Sequence, residues 1–131
     1  MRKIGLIGGM SWYSTRTYYE HINRGVQAKA GKQASAPLLI ESLDFTDLVR
    51  LSSAEDWDRA GGVLADSAKR LEAAGATALL IGTNAMHKVY DAVAGAVSVP
   101  VLHIAEAVGQ RMAASAVKKA CLLYTSPSPR D

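Results

Sequence analysis

Two glycine-containing loops hold the residues that could do chemistry in this 131-residue chain. The first loop, residues 8–11 with the sequence Gly-Gly-Met-Ser, follows a short apolar run. Glycines let a backbone approach a ligand closely, and the N–H groups of such a turn can bind a carboxylate or a phosphate. The glycines at 5, 8 and 9 do not have the G-x-G-x-x-G spacing of a dinucleotide site. The loop therefore favours a structural turn or a small-anion site over a nucleotide site.

The second loop, residues 82–88, places small, hydroxyl and amide side chains directly before a helical pattern. Asn84 can cap that helix or bind a ligand, and its spacing does not decide between the two. His87 lies one helical turn beyond Thr83, where it could orient a group or relay a proton, although a solvent-facing or packed histidine is the simpler interpretation. His103 lies in an apolar run and is expected to pack there. Neither histidine has metal-ligand spacing with a third ligand nearby, so no metal site is predicted.

Short apolar runs alternate with helical stripes along the chain, and they predict the elements that position these loops. A helix is predicted after each of the four strands, the last one over residues 105–116. The strands are predicted at residues 3–7, 37–42, 78–81 and 100–104. The βαβαβαβα order predicts an α/β fold, a parallel sheet with helices on both faces. Both loops then lie at the carboxyl ends of strands, where open parallel sheets bind their ligands.

Polar residues and glycines mark the ends of the helices. Ser14 is expected to cap the first helix, and either Asp56 or Asp58 the second. Gly75 is expected to end the second helix in a left-handed conformation. Four aromatic residues near the start of the first helix are expected to pack in the core or in a lid rather than to bind a cofactor: Trp12, Tyr13, Tyr18 and Tyr19.

The composition describes one soluble globular domain and argues against several function classes. The chain is 49% hydrophobic and has a net charge of +3. Its basic residues are scattered along the sequence, so no basic patch indicates nucleic-acid binding. The longest apolar run is about half of the roughly 20 residues that span a bilayer, and the apolar stretch near the N-terminus is too short for a signal peptide. A single cysteine excludes a disulfide scaffold. We therefore expect a cytoplasmic protein that binds neither nucleic acid nor membranes.

The end of the chain departs from the pattern that precedes it. Residues 121–131 begin like a fifth strand and finish as a tail of proline and serine residues. A disordered polar end is one interpretation. The segment also resembles, residue for residue, the translation of a transposase sequencing adapter, which favours a non-native tail. The native part of this chain is then expected to comprise residues 1–120, because the reading frame would have been truncated during library preparation.

Both loops belong to segments that resemble one family. The most specific segments are Ile-Gly-Leu-Ile-Gly-Gly-Met-Ser-Trp at residues 4–12 and Thr-Asn-Ala-Met-His-Lys-Val at residues 83–89. With them the sequence resembles the aspartate/glutamate racemase superfamily, most of all its broad-specificity amino-acid racemase branch. Further matching segments lie at residues 14–15, 18–19, 42–45, 57–58 and 102–105. The resemblance implies two similar α/β halves with the active site between them, and this chain would supply the first half.

The resemblance implies an enzyme that racemises an amino acid, of the aspartate or glutamate type, without pyridoxal phosphate or a metal. It places an acid/base residue at Thr83 and substrate-binding positions at Met10, Asn84 and Ala85. Ser52 stands where close relatives have a glutamine. The implied partner is a small-molecule amino acid substrate, and the full-length form could be a homo-oligomer.

Thr83 changes the chemistry of the acid/base position, where family members usually carry a cysteine. A cysteine thiol titrates near about 8.5 and can be converted to a thiolate. A threonine hydroxyl has no accessible ionised form without a neighbouring base, so Thr83 is expected to act as a donor or relay, with His87 as its candidate helper. Some members of the same branch carry threonine there, opposite a single cysteine from the second half. Without that half, this chain is expected not to racemise an amino acid.

Two other interpretations stay open at this point. One is a non-catalytic α/β module that binds a small anion or a nucleotide, with Gly8-Gly9 as the anion turn and Asn84 as a cap. The other is a family enzyme with a different reaction, such as a maleate isomerase or an arylmalonate decarboxylase. Those relatives also depend on cysteine chemistry, and the Met10-Ser11-Trp12 segment favours the racemase branch.

Overall fold

The computed structural model describes residues 2–48, 53–82 and 88–102 of the chain. Within these ranges four β-strands alternate with three α-helices, and a short 3₁₀ helix, Phe45–Leu48, follows the second strand. The elements are β1 (Ile4–Gly8), α1 (Trp12–Ala30), β2 (Leu38–Ser42), α2 (Ala54–Ala73), β3 (Ala78–Ile81), α3 (Tyr90–Ala94) and β4 (Val101–Leu102).

The four strands form one parallel sheet in the order β2-β1-β3-β4. The register pairs Gly8 of β1 with Ser42 of β2, and Ile7 of β1 with Ile81 of β3. β1 is therefore a central strand, and its carboxyl end lies between those of β2 and β3. The parallel α/β fold predicted from the order of elements is confirmed.

The two long helices cover opposite faces of the sheet. A Cβ added to Gly8 would lie 2.6 Å from Thr15 Oγ1 of α1, whereas one added to Gly5 would lie 3.2 Å from Leu71 Cβ of α2. Residues at odd and even positions of a strand point to opposite faces. α1 therefore lies on one face and α2 on the other, as the sequence predicts, and α3 packs beside α2.

The main core lies between the sheet and the helices α2 and α3. One stripe of α2 is buried, and its members Leu64, Ala68 and Leu71 belong to the core cluster. These side chains pack with apolar side chains of the strands, among them Ile7, Leu79 and Ile81. Burial of these side chains holds α2 against the centre of the sheet.

Both long helices begin earlier than their sequence suggests. Ser11 is the N-cap of α1, so the prediction that Ser14 caps this helix is wrong. Ser53 is the N-cap of α2, and its Oγ accepts a hydrogen bond of 3.1 Å from the backbone N–H of Asp56. Asp56 therefore lies in the first turn, where its charge complements the helix dipole, and it does not form the predicted cap.

The end of α2 agrees with the sequence prediction. Gly75 follows the C-cap residue Ala74 and has a φ of 111°, a conformation that favours glycine.

Asp58, the alternative predicted cap, lies within α2, so that prediction is also wrong. The predicted helix over 105–116 and the tail 121–131 lie outside the described residues. Residues 103 and 104 of the predicted fourth strand also lie outside them. No helix in the described ranges is long and apolar enough to cross a membrane.

Candidate functional site

Three strand ends meet at the carboxyl edge of the sheet. The N–H of Leu43 donates to the carbonyl of Gly8 at 2.8 Å, and the N–H of Gly82 donates to the carbonyl of Ile7 at 2.8 Å. The two loops singled out by the sequence therefore begin side by side, on adjacent strands. This edge is where open parallel sheets bind their ligands.

Gly9 makes the first loop possible. Its φ is 88°, and a Cβ at this position would overlap the backbone N and O of Leu43, so the turn passes directly against the end of β2. The Gly9 N–H donates to Thr15 Oγ1 at 2.8 Å. The expectation that this N–H is free to bind an anion is therefore wrong, because α1 already supplies its acceptor.

Met10 lies beyond the glycines, and its side chain points into the protein. It is 2% exposed and packs in the same core cluster as Ile7 and Leu48. The 2% exposure covers the whole residue, so neither the backbone nor the side chain of Met10 is open at this edge. The following residue, Ser11, begins α1 without a hydrogen bond from its own side chain.

Gly82 brings the second loop against β1. A Cβ added to it would lie 2.9 Å from the carbonyl oxygen of Ile7 and 3.3 Å from Leu6 Cδ1. A larger residue would push the end of β3 away from β1.

The predicted site residues that follow Gly82 lie outside the described residues. These are Thr83, Asn84, Ala85 and His87, together with Ser52 and His103. The structure thus fixes the point from which residues 83–87 start, next to the Gly8 turn.

Lys88, where the described chain resumes, contacts a residue of α2. Its Nζ lies 4.7 Å from the centre of the Trp57 ring, within the range of a cation–π interaction. Sequence patterns did not indicate this pair, because the two residues are distant in the chain and lie on different elements. The only signal was that both belong to segments that resemble the same family.

The carboxylates near this edge are held in the ionised form. A hydrogen bond from Thr46 lowers the pKa of Asp44, whose Oδ1 accepts from the backbone N–H of Thr46 at 3.0 Å. The guanidinium of Arg70 lowers the pKa of Glu41 by donating three hydrogen bonds, of 2.7, 2.8 and 3.2 Å, to its carboxylate. These groups act as structural acceptors rather than as proton donors. No group of three metal-ligating side chains occurs among the described residues.

Aromatic side chains surround the start of α1. Trp12 and Tyr13 stack with ring centres 4.0 Å apart, and Arg16 lies over both rings. Trp12, Tyr13 and Tyr19 are about half exposed, so these three do not pack in the core, and packing in a lid stays a prediction. Trp12 and Tyr13 form an exposed aromatic surface where α1 begins, next to the first loop.

A family model described as Asp/Glu/Hydantoin racemase matches residues 7–130. The chain belongs to this racemase family. Two crystal structures of racemase-related proteins have the same fold. One is a candidate Asp/Glu racemase from Yersinia pestis, 40% identical with a TM-score of 0.83. The other is an aspartate racemase homologue from Pyrococcus horikoshii OT3, 33% identical with a TM-score of 0.81.

Each of these structures matches 88% of this racemase-family chain, while the chain covers 50% of each of them. The chain thus spans about half the length of the racemase-related proteins that it matches. The resemblance drawn from the two loop segments is confirmed at the level of the family and of the fold.

Proposed function

We propose that this chain is the N-terminal half of a cofactor-independent amino-acid racemase that acts on aspartate or glutamate. Its racemase family membership supports the proposal, together with one structural observation. The Gly8 turn and Gly82, the described residue that precedes Thr83, adjoin at the carboxyl edge of the sheet, where the N–H of Gly82 donates to the carbonyl of Ile7.

The reaction is difficult because a Cα–H beside a carboxylate is far less acidic than any side chain. One acid/base residue must take the Cα proton and leave its electron pair on an enediolate-like carbanion. A second residue, on the opposite face, returns a proton. Fixed donors around the substrate carboxylate lower the barrier by stabilising the charge that develops there.

In this proposal Thr83 stands at the first acid/base position, as a hydroxyl donor or relay. Asn84 and the backbone N–H of Ala85 hold the substrate. The proposal keeps Met10 as a substrate-binding position, which requires this buried residue to become accessible when substrate binds. The residue on the opposite face belongs to a second half, so we expect the 131-residue chain to exchange no Cα proton by itself.

One observation counts against the alternative function, the binding of a small anion at the Gly8-Gly9 turn. The N–H of Gly9, which an anion turn would use, already donates to Thr15 Oγ1. The racemase proposal does not depend on that N–H group.

The deciding experiment begins with the uninterrupted gene, amplified from the source DNA past the codon for Ala120. The longer protein and the 131-residue chain are each incubated with L-aspartate and L-glutamate in D₂O, and loss of the Cα proton signal is followed by NMR. We expect exchange with the longer protein only, and a cysteine at a strand end of its second half.

Two variants of the longer protein test the role of Thr83. Thr83→Val keeps the shape but removes the hydroxyl, and should lower the exchange rate by about 10²-fold or more. Thr83→Ser keeps a hydroxyl and should retain most of the exchange rate. A natural reading frame that stops near Ala120 would overturn the proposal, as would exchange catalysed by the 131-residue chain alone.

A further inference from the structure

The two faces of the sheet differ in the number of helices that cover them. Among the described residues, the long α2 and the short α3 pack side by side on one face, whereas α1 lies alone on the other. Neighbouring strands are about 4.8 Å apart, so the outer two of four strands are separated by about 14 Å. Packed helices have axes about 8–10 Å apart, so covering such a face takes two helices. The α1 face therefore has room for one more helix.

The exposure of the strands shows where that room lies. The register places Ile40, Leu80 and Leu102 in one row with Leu6, which is fully buried beneath α1. Leu102, on the edge strand β4, is 46% exposed. A helix packed beside α1 at about 8–10 Å would lie over β3 and β4, which are about 5 and 10 Å from β1. The other side of α1 offers a single strand, β2.

The surface beside α1 is apolar along the whole length of β3 and β4. At the amino ends of the strands it deepens into a groove of about 640 Å³. Ile22 and Val26 of α1 line this groove together with Ala78 and Pro100, at the amino ends of β3 and β4. A helix with an apolar stripe matches a surface of this shape and chemistry.

Arg2 gives the groove a positive charge. Its exposed side chain is part of the lining and forms no ion pair with the residues that the structure describes. Thr77, a polar residue of the same lining, is already engaged, because its Oγ1 accepts a hydrogen bond of 2.9 Å from the N–H of Lys3. The groove therefore favours a partner whose apolar stripe ends beside a carboxylate.

The length of the similar structures indicates the source of this partner. The chain covers 50% of each of the two racemase-related proteins, so each of them has a further half. We propose that the α1 face over β3 and β4 is the docking surface for an amphipathic helix from the second half of the longer protein, with an acidic residue near Arg2. This inference rests on the proposed function, which makes the chain the first half. The contact is separate from the candidate site at the carboxyl edge.

Hydroxyl-radical footprinting, read by mass spectrometry, tests the proposal by measuring the exposure of individual side chains. The longer protein and the 131-residue chain are compared at the same micromolar concentration. Leu102 should oxidise about ninefold more slowly in the longer protein, as its exposure falls from 46% to the 5% of a core residue such as Leu71. Ile40 is the internal control, because it is 39% exposed in the same row but lies on the other side of α1. It should react equally in both proteins.

Variants of the longer protein test the apolar and the charged part of the surface. Leu102→Glu should raise the oxidation of Val26 toward its rate in the 131-residue chain, whereas the matched variant Ile40→Glu should leave Val26 protected. Arg2→Glu should also raise the oxidation of Val26, because it repels the acidic residue, and Arg2→Lys should not. Unchanged oxidation of Val26 in Arg2→Glu would overturn the acidic contact.

Equal oxidation of Leu102 in the two proteins would overturn the docking surface. Equal protection of Ile40 would do the same, and so would protection that disappears on dilution, which would indicate a second copy of the chain. A natural reading frame that stops near Ala120 would remove this inference together with the proposed function. Otherwise the two fail separately, because footprinting requires no turnover. Protection without Cα exchange would contradict only the racemase activity, and exchange without protection would contradict only the docking surface.

Discussion

Gly9 has a positive φ and also lies too close to the backbone of Leu43 to accept a side chain. Substitutions at three glycines can separate the energetic costs of these two effects. Gly9→Ala introduces a Cβ that overlaps the backbone of Leu43, in a conformation that L-residues rarely adopt. We expect a loss of more than about 3 kcal/mol in the free energy of unfolding, measured by urea denaturation followed by circular dichroism.

Two other glycines provide the controls for Gly9→Ala. Gly31 has a φ of 105° but no atom near an added Cβ, so Gly31→Ala should cost only about 1–3 kcal/mol. Gly25 lies inside α1 with open space around it, and Gly25→Ala should stabilise by about 0.5–1 kcal/mol. A Gly9→Ala loss no larger than that of Gly31→Ala would mean that the contact with Leu43 is unimportant.

Among the elements, β2 is joined to α2 by one paired carboxylate. Glu41 accepts three hydrogen bonds from Arg70, and this ion pair lowers its pKa. The pair therefore stabilises the fold above the usual pKa of the carboxyl group, and that stability is lost as the pH falls through the lowered pKa. Glu41→Gln should cost about 0.5–1 kcal/mol near about pH 7 and almost nothing near about pH 2.

Glu20 supplies the matched control for this measurement. It forms an ion pair with Arg24 one turn along α1, with both side chains more than half exposed. Glu20→Gln should therefore change the urea midpoint much less than Glu41→Gln at neutral pH. A loss for Glu41→Gln that stays the same at both pH values would show that the carboxylate charge is not what joins β2 to α2.

The alternation of strands and helices could be predicted because each element carries its own period of apolar residues. The N-caps were harder to predict from the sequence. Ser53, Asp56 and Asp58 are all residue types that can cap a helix, and only the backbone conformation shows that Ser53 is the cap. For the candidate site, the sequence indicated the two loops, and the structure shows that they begin on adjacent strands. The Trp57–Lys88 contact joins distant parts of the chain and leaves no local pattern, so it required the structure.

At the scale of the whole described structure, residues 2–48, 53–82 and 88–102, one face of the sheet is covered only at its centre. The register aligns a row of apolar side chains on the α1 face, Ile40, Leu6, Leu80 and Leu102. Leu6 is fully buried, whereas Ile40 is 39% and Leu102 46% exposed, and none of the residues of α1 is buried. Parallel sheets are normally covered on both faces.

A groove of about 640 Å³ continues this uncovered surface between α1 and the amino ends of the strands, lined by residues such as Ile4, Ile22 and Val26. Contiguous apolar surface of this kind promotes association between molecules. We therefore expect the 131-residue chain to self-associate as its concentration rises. In analytical ultracentrifugation, its sedimentation coefficient should increase as the protein concentration is raised above the micromolar range.

The double variant Ile40→Gln with Leu102→Gln should shift this association to higher protein concentration, because it makes both exposed ends of the row polar. Trp12→Ser is the comparison, since it alters the exposed aromatic surface at the start of α1 instead. If Trp12→Ser weakens association and the double variant does not, the aromatic surface is the contact between copies. A chain that stays monomeric at every concentration would show that this face does not drive association between copies.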